Sequence, residues 1–151
     1  MTAAMSAIWL LSEICLSTVF AAGAVASASE QRQELAIKGY DTVANFKLGK
    51  AVKGSESFPF PWHGMTWQFS SSEHRDLFAA DPERYAPRYD GYCAWAMTES
   101  RLAITDPEVW KIVDGKLYLN CSPAAYEKWS RDIPGHIRKA DAIWQKRFGR
   151  K

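Results

Sequence analysis

An α+β fold, a small antiparallel sheet built from hairpins with helices packed on it, is what this chain predicts, and three stretches carry the reading. Asp114-Gly115 separates Val109–Val113 from Lys116–Leu119, and this dipeptide favours the tight turn that matches the twist of two paired strands. His63-Gly64 separates Phe58–Trp62 from Met65–Phe69. Strict alternation there places Phe58, Phe60 and Trp62 on one face of the first arm, and Met65, Trp67 and Phe69 on one face of the second. Finally, Ile133, Ile137, Ala140, Trp144 and Phe148 recur at helical spacing, which predicts an amphipathic C-terminal helix. Hairpins followed by helices give an α+β layer.

Taken in order, the chain opens with an uncharged run from Ile14 to Ala28, ending Ala26-Ser27-Ala28. That is the pattern of an export signal cut after a small residue, and it is too short for a spanning helix. The expectation is a signal peptide over 1–28, a single domain over 29–151, a periplasmic location and no stable membrane span once the signal is removed. Gly39-Tyr40-Asp41 turns into a brief helix from Thr42 to Phe46, with Asp41 as N-cap. Ala51-Val52 predicts a short extended piece. Pro59 and Pro61 lack an N–H and confine the first hairpin arm to an edge.

Ser71 or Ser72 then starts a helix with Leu77 and Phe78 inward, its acidic first turn suited to the helix dipole. Asp81-Pro82 stops that helix and caps a further turn to Tyr85. Tyr89-Asp90-Gly91-Tyr92 forms a tight loop delivering Cys93 to a short buried helix, Ala94 to Met97. Arg101 to Thr105 predicts a short strand. Ser122-Pro123 is an N-cap with proline at the first helical position, opening a helix through Trp129. No repeat and no low-complexity linker is legible.

Composition narrows the class. Hydrophobic residues at 47% and charged residues at 24% of 151 are globular values, which set aside disorder. A net charge of +2 with no basic run gives no electrostatic footprint for nucleic acid. Trp62, Trp67, Trp95, Trp110, Trp129 and Trp144 anchor a small core or line a pocket. No phosphate-binding glycine loop, Gly-x-Ser-x-Gly or His-Glu-x-x-His occurs, so nothing marks an enzyme.

The cysteines are Cys15, Cys93 and Cys121, with no Cys-x-x-Cys. Cys93 and Cys121 would meet an oxidising compartment after export, yet sequence does not bring them within disulfide range. Cys93 has two readings: a thiolate activated at a helix N-terminus, or a buried apolar packing residue. His63, His74 and His136, with Met65 and Met97, complete a soft ligand set suited to copper(I). None stands at a diagnostic spacing.

The segments Gly39-Tyr40-Asp41-Thr42-Val43-Ala44, Gly49 to Gly54, Trp67 to Phe69, Arg75-Asp76-Leu77-Phe78, Asp81 to Pro87, Gly91-Tyr92-Cys93-Ala94, and Asp114 to Asn120 follow one another in an order that resembles the exported bacterial YHS domain-containing proteins. The likeness runs from about residue 36 to the C-terminus, through Asp132-Ile133-Pro134-Gly135 and Lys139-Ala140-Asp141. It implies copper or another soft metal held through cysteine, with Cys93 as principal ligand and His63 or His74 as helper, and a metal-handling or redox partner. Asp90 stands where that family usually shows glycine, Thr42 where it shows proline, and Cys121 where an aromatic is typical. A Cys93–Cys121 disulfide would therefore be particular to this chain and would compete with metal. The alternative is a non-catalytic interaction or small-molecule-binding module whose surface includes Trp67, Asp90, Tyr92 and Trp95. Thiol chemistry by Cys93 comes third.

Overall fold

The computed structural model describes residues Glu34 to Gly149; the expected export signal lies outside them. A 3₁₀ segment, Ala36–Gly39, leads into α1 (Thr42–Lys47), then the hairpin β1 (Ser55–Trp62) and β2 (Met65–Phe69), then α2 (Ser72–Ala80) and α3 (Pro82–Tyr85). A second 3₁₀ segment, Arg88–Gly91, leads into α4 (Ala94–Thr98), the hairpin β3 (Asp106–Val113) and β4 (Lys116–Asn120), then α5 (Pro123–Ser130) and α6 (Ile133–Phe148). The α+β class and the C-terminal helix are as expected. The hairpins form two separate two-stranded antiparallel sheets.

The starts are set by local chemistry. Asp41, Ser71, Asp81, Ser122 and Asp132 each cap the following helix by accepting a bond from the backbone N–H three residues on, so a first-turn donor finds a partner. Pro82, Pro123 and Pro134 sit in first turns, where a missing N–H costs nothing. The segment 101–105 forms no strand. Its backbone meets the rest of the chain through the bonds from Cys93 N to Ala103 O and from Arg101 N to Ala96 O, each 3.0 Å, and neither belongs to a strand ladder.

Each hairpin closes its own core. Trp67, Phe69, Phe78 and Tyr85 gather with Val43 under the first hairpin, where Phe58, Phe60 and Trp62 close one side as the alternation required. Tyr89, Ala94, Met97, Tyr118, Trp129 and Ala140 gather under the second. The order of elements repeats, contrary to the reading of the sequence, and so does strand register. β1 pairs Ser55 with Phe69, skips to Pro59 with Gln68, and ends at Trp62 with Met65. β3 pairs Asp106 with Asn120, skips to Trp110 with Leu119, and ends at Val113 with Lys116. Among the described residues no helix is long and apolar enough to cross a membrane.

Candidate functional site

The expected metal ligands do not converge. Cys93 has no exposed surface and packs with Ala96 and Ala125. Its sulfur caps α4, accepting the Ala96 N–H at 3.5 Å and the Cys121 N–H at 3.2 Å, and its thiol faces Asn120 Oδ1 at 3.7 Å. Burial pushes this thiol above its ordinary value, ahead of the opposing bond from Ala96. Of the two readings of Cys93, the buried packing residue is the one this environment favours: desolvation, the largest influence on the thiol, outweighs the N–H groups of Ala96 and Cys121 that point at it.

His74 is held elsewhere. Its Nδ1 lies 2.7 Å from Asp41 Oδ2, with the carboxylate fully buried. Asp41 also accepts Ala44 N at 3.1 Å, Ser70 N at 2.8 Å and Ser70 Oγ at 2.6 Å. Both carboxylate oxygens are thus committed to structure. His63 sits at the tip of the first hairpin with its ring stacked on Trp62, centroids 3.7 Å apart. Among the described residues no three His, Cys, Asp or Glu side chains gather closely enough to hold a metal ion.

The expected binding surface divides. Trp67 is 1% exposed, with its indole N–H donated to Trp62 O at 3.1 Å; it belongs to the core. Trp95 is half-buried, packs with Tyr92 against the second core and stands perpendicular to the His136 ring, and it is not among the residues lining the cavity at Asp90 and Tyr92. Asp90 and Tyr92 do line a cavity, one of about 280 Å³. It is lined by Leu35, Ile37 and Lys38 at the first 3₁₀ segment, Asp90, Gly91 and Tyr92 at the second, His63 and Met65 at the turn of the first hairpin, and Ile104.

Backbone geometry marks this cavity. Ile37, Lys38, His63 and Asp90 all have φ between 48° and 52°, a left-handed conformation that costs a residue bearing a Cβ about 1–2 kcal/mol. For β-branched Ile37 it is a genuine outlier. Each 3₁₀ segment is locked by a backbone bond, Tyr40 N to Ile37 O at 3.0 Å and Tyr92 N to Tyr89 O at 2.9 Å. Gly91 has φ +82°, a backbone conformation that residues bearing a Cβ rarely adopt, and a Cβ there would press on Ile37 Cδ1. Thr105 Oγ1 donates to Gly91 O at 2.8 Å and fixes the far wall.

Chemically the cavity's lining combines apolar side chains with residues of both charge signs, Glu34, Lys38 and Asp90, and an imidazole, His63. Such a site suits a small molecule with an apolar body and a zwitterionic end. Sequence reasoning found Asp90 and Tyr92 but not Leu35, Ile37, Lys38 or Ile104, because paired left-handed residues ahead of Gly-Tyr have no compositional signature. No protein-family model, curated protein or solved structure matches the chain.

Proposed function

We propose that this protein is an exported, non-catalytic binding module of YHS type whose cleft between the two 3₁₀ segments takes a small amphipathic ligand. The observation that supports it is the concentration of strained residues, Ile37, Lys38, His63 and Asp90, on one cavity. Backbone strain persists where surrounding structure over-determines it, and it clusters at ligand sites. A volume of about 280 Å³ stands at the small end of ligand pockets, which suits a free apolar amino acid or a dipeptide. In that pose Lys38 meets the carboxylate, Asp90 or Glu34 meets the ammonium, and the side chain lies over Ile37, Met65 and Ile104.

Titrating free aromatic and aliphatic amino acids, followed by amide NMR shifts, tests this directly. Saturable shifts are expected at 35–38, 63–65, 90–92 and 104–105. Asp90→Ala is expected to weaken binding about tenfold, since a hydrogen bond to a charged group contributes about 1.5–3 kcal/mol. Absence of saturable shifts across the panel, with the fold intact, would sink the proposal.

A second reading, copper(I) held by cysteine, keeps one specific support: the Cys121 N–H reaches Cys93 Sγ, which sets two soft ligands side by side, with His63 and His74 placed elsewhere. Two thiolates suit copper(I). Titration of the reduced protein with copper(I), beside Cys93→Ser and Cys121→Ser, is expected to show one equivalent bound and lost in both variants. Binding that survives Cys121→Ser would discard this ligand pair.

A further inference from the structure

We infer that the described chain is two copies of one structural unit, and that Cys93 and Cys121, occupying the place that Asp41 and Ser70 hold in the first copy, are a dithiol poised to close into a disulfide. The duplication is carried by geometry. From Ser55 to Asp106 the offset is 51 residues, and every pair of the first ladder, with its irregularity, recurs in the second at that offset. The left-handed residues recur in the same way. Ile37, Lys38 and Gly39 match Tyr89, Asp90 and Gly91; Gly49 matches Ser100; His63-Gly64 matches Asp114-Gly115. No residue with positive φ among those described is left over. The offset shrinks by one between Gly39 and Gly49, where α4 is one residue shorter than α1. Buried aromatic pairs follow suit: Trp67 against Phe78 at 4.9 Å and Tyr118 against Trp129 at 5.5 Å.

Within this correspondence Asp41 and Cys93 are the same position. Both lie fully buried after Gly-Tyr, both cap the next helix, and their backbone N–H groups donate to matching carbonyls, Val52 O and Ala103 O. Each side chain also accepts the backbone N–H of the residue just past the second strand, Ser70 at 2.8 Å and Cys121 at 3.2 Å. The position ties the start of one helix to the link before the next. In the first copy the tie is a carboxylate bonded to the Ser70 N–H and hydroxyl, backed by His74. In the second copy Ala125 stands where His74 does, and thiols stand at both ends of the tie. A covalent bond can do there what the hydrogen-bonded cluster does in the first copy.

The step balances with a disulfide oxidant. The half-buried Cys121 exchanges with it first, its proton going to the first thiol released and a mixed disulfide remaining; the Cys93 sulfur then attacks Cys121 Sγ, forming Sγ–Sγ as the second thiol leaves with the Cys93 proton. This inference is independent of the cleft, and it sets the condition for the copper reading, since only the open dithiol offers thiolates.

The test uses the full chain carrying Cys15→Ser, so that Cys93 and Cys121 are the thiols present, incubated folded with oxidised glutathione. The expected product has lost two hydrogens in mass, yields a linked peptide pair spanning 93 and 121, and unfolds at higher urea until reductant is added. With Cys93→Ser added, the expected product is glutathione on Cys121 and no link. A stable glutathione adduct on Cys121 in the chain that retains Cys93, or two free thiols after prolonged oxidation, overturns the inference. Ligand binding in the cleft is expected in both redox states, so failure of either proposal is seen separately.

Discussion

Asp41→Ala is expected to destabilise the fold by about 3–5 kcal/mol, since it strips the shared acceptor from several hydrogen-bonding groups at about 1–3 kcal/mol each. Asp41 is fully buried and accepts from Ala44 N, Ser70 N and Ser70 Oγ while facing the His74 imidazole. Alanine removes the acceptor these groups share; Ser70 Oγ and His74 Nδ1, 3.3 Å apart, keep each other as partners, while the Ala44 N–H loses its cap, and each buried group left unpaired carries its own desolvation penalty. Against a total stability of about 5–15 kcal/mol for a small domain, that is a large share. Urea unfolding followed by tryptophan fluorescence reads it as a fall in midpoint at unchanged slope. Asp41→Asn is expected to fall between, since it keeps the Ala44 cap. A change below about 1 kcal/mol in the alanine variant would show that the cluster is not the hinge between α1, α2 and the first hairpin.

Phe78→Ala is expected to cost about 3–5 kcal/mol by a different route, loss of buried apolar surface and the cavity left behind. Its ring is fully buried at the centre of four others: Phe60 at 5.9 Å, Trp62 at 5.7 Å, and Trp67 and Phe69 at 4.9 Å each. Such a cluster collapses poorly onto a gap because its members are rigid and anchored to opposite strands. Phe148→Ala makes the control, since that ring is 39% exposed and its loss is expected to cost under about 1 kcal/mol. Equal effects from the two would refute the placement of the core.

Much of the scaffold was legible because punctuation residues act locally. Asp-Gly and His-Gly mark both hairpin turns, and Ser71, Asp81 and Ser122 mark helix starts through side chains that reach only three residues. The alternation in β1 named its inward face correctly. The cleft was half legible. Asp90, a residue type that tolerates left-handed backbone, and Tyr92 flank a glycine that advertises a turn, whereas Ile37 adopts left-handed backbone that its β-branched side chain disfavours, so local preference there pointed the wrong way. The two readings of Cys93 stayed open for a related reason: its position at a helix start was visible, but the burial that decides between them comes from distant elements. The repeat escaped because matching places carry unlike residues, Asp41 against Cys93, Phe78 against Trp129, Trp67 against Tyr118. What persists is backbone conformation, and sequence encodes that only through scattered glycines.

The division into two cores bears on how the chain acquires its structure. Every member of the first core, with the partly buried residues around it, falls between Ala36 and Ala86, and every member of the second between Tyr89 and Trp144. Contacts that are close in sequence close small loops, which favours rapid folding. A chain emerging N-terminus first therefore holds all the apolar partners of its first core before Arg88 is added. The remaining half then condenses beside a formed neighbour, with Ile37 already in place to receive Gly91.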